Sequence, residues 1–376
     1  MKKKATLILS ITLFILSPIF AAYPKVAVVL SGGGAKGYAE IAVIEEIQKL
    51  GIPIDFICGT SMGALVGGFY AAGYSSEEIK RMIKSNDMAS MLLIPTYTET
   101  NELPGVFEEE INSFYSFGIS NKGIGDVPGL VGDQLIQQFL SRFLIKNSSS
   151  MAFSKLSIPF KAVTTNVTTS DKFILDSGLL QDAMRASMSL PLIFSPYILL
   201  DGTYTMDGGL NDNLPVFLAR DWGADIIIAV NVSADGLKEP GGYSTLSGVT
   251  LQLISLITFK KSDGLLGKDD LVIKPQVSDF TILNMGRYDD ILKKGYEAAI
   301  ANKDKLLALR DKIAKTRDLV PYSVVGTYSQ LPDPLVREVR IVDVTRNSQS
   351  YSLSTIFDEF IGKTLNDANL DKLESD

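Results

Sequence analysis

The sequence predicts an α/β protein with three α/β/α layers around a mainly parallel central sheet. Three observations carry this. Lys25-Val26-Ala27-Val28-Val29-Leu30 is a short, continuous apolar run, as in a strand buried on both faces. A glycine-rich loop and a segment of helical period follow it directly. A second apolar run, residues 54–58, leads into Gly59-Thr60-Ser61-Met62-Gly63 and then into a segment apolar on every side. Parallel strands need crossovers of this kind between them, usually helices.

Taken in order, residues 25–30 are the first strand and Ser31-Gly32-Gly33-Gly34-Ala35-Lys36-Gly37 is the loop after it. A helix is expected over 38–50, with Ile41, Ile44, Ile47 and Leu50 at helical spacing and Gly51 as its stop. Residues 54–58 are the second strand, and 62–72 form a helix buried in the middle of the domain, stopped by Gly73. Ser75 and Glu78 form a capping box that opens the next helix. Residues 85–130 read as loop and small strands. Met91-Leu92-Leu93-Ile94 and Phe114-Tyr115-Ser116-Phe117 in that stretch suggest a lid or lipid-facing flap. A helix over 133–143, strands at 160–164, 173–176, 225–230 and 271–274, and a long polar helix over 289–315 complete the pattern. The stretch 319–334 holds three prolines and reads as a linker. Beyond it Val339, Ile341 and Val344 suggest a strand, and Leu353, Ile356, Phe357 and Phe360 an amphipathic helix.

Composition bounds the function. A hydrophobic content of 46% over 376 residues supports a large core. Lys2, Lys3 and Lys4, the apolar stretch 7–16 and Ala21-Ala22 have the form of a signal peptide over 1–22. The expectation is export, to the periplasm, the outer membrane or the extracellular space. Loss of those three lysines takes the formal charge from −7 to −10. So acidic a chain is a poor electrostatic binder of nucleic acid. Cys58 is the single cysteine, so no internal disulfide forms; with no histidine either, a zinc site is not expected.

Gly59-Thr60-Ser61-Met62-Gly63 is a G-x-S-x-G pentapeptide, the sequence form of a nucleophile elbow. The chain has no histidine, which excludes a Ser-His-Asp triad. The base for Ser61 must therefore be Asp, Glu or Lys. Asp207, in Met206-Asp207-Gly208-Gly209, is the best candidate; Asp55, Asp133, Asp176, Asp201 and Asp212 are alternatives. Acyl transfer also needs donors for an oxyanion. The N–H groups of Gly32, Gly33 and Gly34 can supply them, with Met62 N–H as a further donor. A competing reading takes Gly32-x-Gly34-x-x-Gly37 as a dinucleotide fingerprint of an oxidoreductase. That fingerprint requires an acid at the C-terminal end of the second strand, where the chain has Gly59-Thr60-Ser61. A third reading is a non-catalytic surface or assembly protein that keeps the fold.

The motifs Gly32-Gly33-Gly34-Ala35-Lys36-Gly37, Gly59-Thr60-Ser61-Met62-Gly63 and Asp207-Gly208-Gly209, in this order, resemble the patatin-like phospholipase family. Ala183-Met184-Arg185-Ala186-Ser187-Met188-Ser189-Leu190-Pro191, ahead of Phe194 and Pro196, matches as well, and the resemblance covers about 25–315. Lys36 stands where many members carry arginine. The resemblance implies Ser61 as nucleophile, Asp207 as proton acceptor and the loop 32–37 as oxyanion hole, with Gly37, Gly59, Gly63, Gly208 and Gly209 supporting those turns. It implies lipid or phospholipid esters as substrates at a membrane interface, and neither metal nor organic cofactor. The last residues resemble the start of a POTRA domain, as in patatin-like autotransporters. The implied organisation is a signal over 1–22, a catalytic domain over 23–318, a linker over 319–335 and a partial POTRA-like segment over 336–376.

Overall fold

Alternation along β1 (Val26–Leu30) builds the layers. Val26, Val28 and Leu30 face one hydrophobic core, while Ala27 and Val29 face another. All five are buried, so the strand must be covered on both sides. The structure is a computed structural model that describes residues 23–86, 88–93, 118–120, 123–125, 134–147, 149, 151–191, 193–233, 266–322, 326–333 and 362–364. The expected signal peptide, most of the expected flap and nearly all of the POTRA-like segment lie outside the described residues.

The further strands are β2 (Phe56–Thr60), β3 (Gly118–Ser120), β4 (Gly123–Gly125), β5 (Met151–Ala152), β6 (Phe160–Asn166), β7 (Lys172–Leu175), β8 (Ser177–Gly178), β9 (Tyr197–Ile198), β10 (Tyr204–Asp207), β11 (Ile226–Val230) and β12 (Leu271–Ile273). The helices are α1 (Tyr38–Lys49), α2 (Met62–Ala72), α3 (Ser76–Ser85), α4 (Met88–Leu93), α5 (Gln134–Phe143), α6 (Leu180–Ser187), α7 (Val216–Asp221), α8 (Tyr288–Ala301) and α9 (Lys303–Ala314). The main sheet has eight strands in the order β12-β11-β1-β2-β6-β10-β9, with β7 also on β6. The pairs from β12 to β6 are parallel; β10, β9 and β7 join antiparallel. Helices α1, α2, α6, α8 and α9 supply the larger core. The smaller core, on the other face, is closed by α7 and Trp222. This is the expected three-layer α/β arrangement.

Several elements differ from their sequence expectation for identifiable reasons. β2 begins two residues later than expected, because Asp55 turns its carboxylate to the Val26 N–H at 2.6 Å and pairs with Arg317 at 2.9 Å. The strand then runs on to Thr60, directly before Ser61. The expected long helix over 289–315 is two helices. At the break, Asn302 gives its side-chain amide to the Ala298 carbonyl at 2.9 Å, ending α8 from within. The capping box forms as expected: the Ser75 hydroxyl accepts the Glu78 N–H, and Glu78 accepts the Ser75 N–H at 2.8 Å.

Candidate active site

One strand brings the two central residues together. β6 pairs β2 over residues 160–163 and β10 over 164–166, while β7 spans 162–165. β7 overlaps both partners, so β2 and β10 must share the opposite edge of β6, end to end. β2 runs parallel to β6 and β10 antiparallel, so their C-terminal ends converge. Thr60 registers with Val163 and Asp207 with the next residue, Thr164. Ser61 follows Thr60 and so stands beside Asp207.

The turn at Ser61 is tight enough to be strained. Ser61 has φ 54° and ψ −123°, in a region that L-residues other than glycine seldom visit. Its N–H donates to the Ser187 hydroxyl at 2.9 Å, which donates on to the Val163 carbonyl at 2.5 Å. The glycines on either side are required by backbone proximity. A Cβ on Gly59 would lie 2.5 Å from the Gly63 carbonyl oxygen, and one on Gly63 would lie 2.6 Å from that of Ser31. Ser61 is partly exposed although its neighbours are buried. α2 starts at the next residue, with its N-terminal dipole directed at the site.

Asp207 is buried, at 2% exposure. Its Oδ1 accepts the Gly209 N–H at 2.7 Å, and its main-chain N–H donates to the Ser189 carbonyl at 2.9 Å. Oδ2 is buried with no formed hydrogen bond. Burial pushes the Asp207 carboxyl up to about 6, against the Ser61 hydroxyl, the Gly209 amide and the Arg185 charge, which all act downward. Gly208 lies against β6 so closely that a Cβ would meet the Val163 carbonyl oxygen at 2.2 Å. The other carboxylates are engaged or distant. Asp55 pairs with Arg317 at the opposite end of β2, and Asp212 pairs with Lys172 at 2.9 Å. Asp176 is exposed opposite Lys161, and Asp201 accepts the Thr203 N–H in an exposed turn. Asp133 lies outside the described residues. Asp55, engaged in this way at the N-terminal end of β2, is not placed to hold a ribose as the dinucleotide reading requires.

The glycine loop divides by function. Gly32 is buried, and its N–H already donates to the Asn213 carbonyl at 3.1 Å. This corrects the expectation that Gly32 is an oxyanion donor. Gly32 instead provides clearance, since a Cβ there would lie 3.1 Å from the Ser61 Cβ. Gly33 and Gly34 are partly exposed, and their N–H groups have no acceptor among the described residues. The same holds for the Met62 N–H at the start of α2. Lys36 is buried, and its N–H donates to the Gly33 carbonyl to fold the turn Gly34–Gly37. Beneath the loop, Glu40 accepts the Ser31 N–H at 2.9 Å. Burial raises its carboxyl well above the usual range, outweighing the two hydrogen bonds from Ser31. Together these groups offer a hydroxyl, a half-satisfied carboxyl beside it, and free amides opposite.

The model of the patatin-like phospholipases matches residues 28–220, just over half of the chain. The chain belongs to the patatin-like phospholipase family. Among curated relatives, Lysophospholipase NTE1 of Debaryomyces hansenii is 30% identical over 77% of this chain and 18% of that protein. Patatin-like phospholipase domain-containing protein 7 of Rattus norvegicus is 27% identical over 74% of this chain and 20% of that protein. The chain thus spans about a fifth of the length of these relatives. Among solved structures, VipD from Legionella pneumophila aligns at 16% identity and TM-score 0.41, over 77% of this chain and 67% of that one.

The patatin-like site also uses residues to which the sequence analysis gave no role. Ser187 holds the Ser61 amide, and Ser189 holds the Asp207 amide. Both lie in the matched stretch 183–191, so the signal was present without its meaning. Asn213 grips Gly32 twice: its carbonyl takes the Gly32 N–H, and its side-chain amide donates to the Gly32 carbonyl at 3.2 Å. Asn213 lies six residues after Asp207, so the segment that carries the carboxyl also fixes the glycine loop.

Proposed function

We propose that the chain is a serine acyl hydrolase that cleaves carboxylic ester bonds of phospholipids or related lipids. Ser61 Oγ attacks the ester carbonyl carbon while its proton passes to Asp207. The Gly33, Gly34 and Met62 amides stabilise the oxyanion of the tetrahedral intermediate. The intermediate collapses to an acyl-enzyme, and the departing alcohol takes the proton from Asp207. Water then attacks the acyl carbon, Asp207 accepts its proton, and Ser61 leaves with that proton as the fatty acid is released.

One observation carries this reading: the β6 register sets Ser61, on a strained turn, beside a buried carboxyl with one oxygen unsatisfied. The lipid class draws support from the family and from relatives described as lysophospholipases. We also propose export directed by residues 1–22, as their pattern suggests. Fluorophosphonate labelling, combined with product analysis on a phospholipid of two different acyl chains, tests the main reading. Labelling at Ser61, its loss in Ser61→Ala and release of free fatty acid are expected. A folded protein that neither labels nor releases fatty acid would favour a non-catalytic role.

A further inference from the structure

Asn213 is a buried amide, 7% exposed, whose orientation is dictated by its neighbours. Its Nδ2 donates to the Gly32 carbonyl at 3.2 Å and to the Ser233 hydroxyl at 2.8 Å. A carbonyl only accepts. The Ser233 hydroxyl gives its hydrogen to Asn231 Oδ1 at 3.0 Å, so toward Asn213 it too can only accept. The nitrogen must therefore face Gly32 and Ser233, and the oxygen is turned away from both. Oδ1 borders the space that a side chain on Gly32 would fill. A Cβ there would lie 2.4 Å from Asn213 Oδ1 and 3.1 Å from the Ser61 Cβ. The two side chains thus face each other across the space that Gly32 leaves open. Oδ1 accepts no hydrogen bond from the described residues, yet it stays within reach of water. The segment that carries it is tied down beside the elbow, where the Thr60 hydroxyl donates to the Asp212 carbonyl at 2.8 Å.

Breakdown of an acyl-enzyme needs a water whose two hydrogens are both directed. One passes to the base during attack. The other must find an acceptor if the oxygen lone pair is to point at the acyl carbon. The Gly33, Gly34 and Met62 amides are donors and cannot serve. The Ser187 hydroxyl is occupied between the Ser61 N–H and the Val163 carbonyl. We propose that Asn213 Oδ1 accepts the second hydrogen of the hydrolytic water and so selects water over alcohols as the acyl acceptor. This rests on the reading of Ser61 as nucleophile and Asp207 as proton acceptor. The water oxygen bonds to the acyl carbon, and the bond from that carbon to Ser61 Oγ breaks. The first hydrogen passes through Asp207 to Ser61 Oγ; the second, held by Asn213, stays on the carboxylic acid that leaves. An alcohol has a single hydroxyl hydrogen, which Asp207 takes. Its carbon would then face Oδ1 and leave that oxygen without a donor.

The test is how the acyl-enzyme divides between water and methanol. A p-nitrophenyl ester is turned over in dilute methanol by wild type and by Asn213→Ala, with melting curves, and free acid and methyl ester are quantified. In Asn213→Ala hydrolysis should fall roughly 10²-fold and methanolysis far less, raising the ratio of ester to acid about tenfold. A folded Asn213→Ala with the wild-type ratio overturns the proposal, whatever its kcat, because a loosened grip on Gly32 alone would slow both acceptors alike. If Asn213→Ala does not fold, the wild type decides. Methyl ester below the molar share of methanol supports the proposal; methyl ester at or above that share overturns it. Absence of fluorophosphonate labelling at Ser61 in wild type would instead remove the acyl-enzyme reading itself.

Discussion

On the flank between α1, α3 and α8, the Glu45 carboxylate meets Lys49 at 2.6 Å, Lys80 at 2.9 Å and the Tyr296 hydroxyl at 2.5 Å. Where β2 and β10 converge, the Asp207 carboxylate accepts one formed hydrogen bond, from Gly209. Both groups are nearly inaccessible to water. Burial acts upward on each. At Glu45 the hydrogen bonds and charges of Lys49, Tyr296 and Lys80 overcome it and hold the carboxyl below its usual range. At Asp207 the partners are too few, and burial prevails. A buried carboxylate with all its partners is a structural tie. One that lacks a partner retains the capacity to take a proton, and here it does so beside a hydroxyl.

The largest effect that could break this contrast is on turnover. Ser61→Ala and Asp207→Asn should each lower esterase kcat by several orders of magnitude, and the double variant should be no worse than either, because a dyad acts as a unit. Substantial activity in folded Asp207→Asn would leave Asp207 an unsatisfied group without a catalytic task. In wild type, kcat/KM should fall as pH drops through about 6, where Asp207 takes up its proton before it can serve as acceptor.

Gly33→Val comes next. Its Cβ would stand 2.6 Å from a methyl of buried, β-branched Val232, so the loop or Val232 must shift, and a shift of the loop carries its amides with it. One displaced donor costs roughly 10²–10³ in kcat. Rate measurements beside a melting curve would place the donors elsewhere if kcat were unchanged.

Stability should respond with opposite signs in the two regions. The folded-state carboxyl of Asp207 is raised above its ordinary 3.8, so ionising it opposes folding; that cost is absent below about 4 and complete above about 6. Asp207→Asn should therefore be more stable than wild type at pH 8, by on the order of 2–3 kcal/mol, with the gain vanishing toward pH 4. The Glu45 carboxyl is lowered, so its contribution is present above the ordinary 4.5 and is lost as pH falls through its folded value. Glu45→Gln should destabilise at pH 7 by roughly 1.5–3 kcal/mol and leave kcat unchanged. Urea unfolding at several pH values reads both, and equal signs would erase the distinction.

The smallest expected change is in Ser187→Ala. It leaves the Ser61 N–H and the Val163 carbonyl without their shared hydroxyl. A fall in kcat of about tenfold with KM within twofold is expected, since Ser61 keeps its hydroxyl and loses only the anchor of its amide. An unchanged kcat would mean that Gly59 and Gly63 alone hold the elbow.

The residue pattern by itself determined the parallel-sheet class, the tight turn at Ser61, the capping box at Ser75 and the exclusion of a histidine base. These are local matters: apolar period, glycine at a tight turn, or the absence of histidine from the chain. It also ranked Asp207 first among six aspartates without a geometric reason. That reason lies in β6, where Val163 and Thr164 are neighbours in sequence while their partners, Thr60 and Asp207, are 147 positions apart. Short elements such as β9, with two residues, and α6, with eight, carry too little period to be read alone, because pairing and packing across the sheet stabilise them. The same holds for the Gly32 amide, for Ser187 and for Asn213. A glycine's N–H is a donor in any sequence; that it already serves Asn213 depends on a strand end and a turn meeting in space, and only the folded chain fixes that distance.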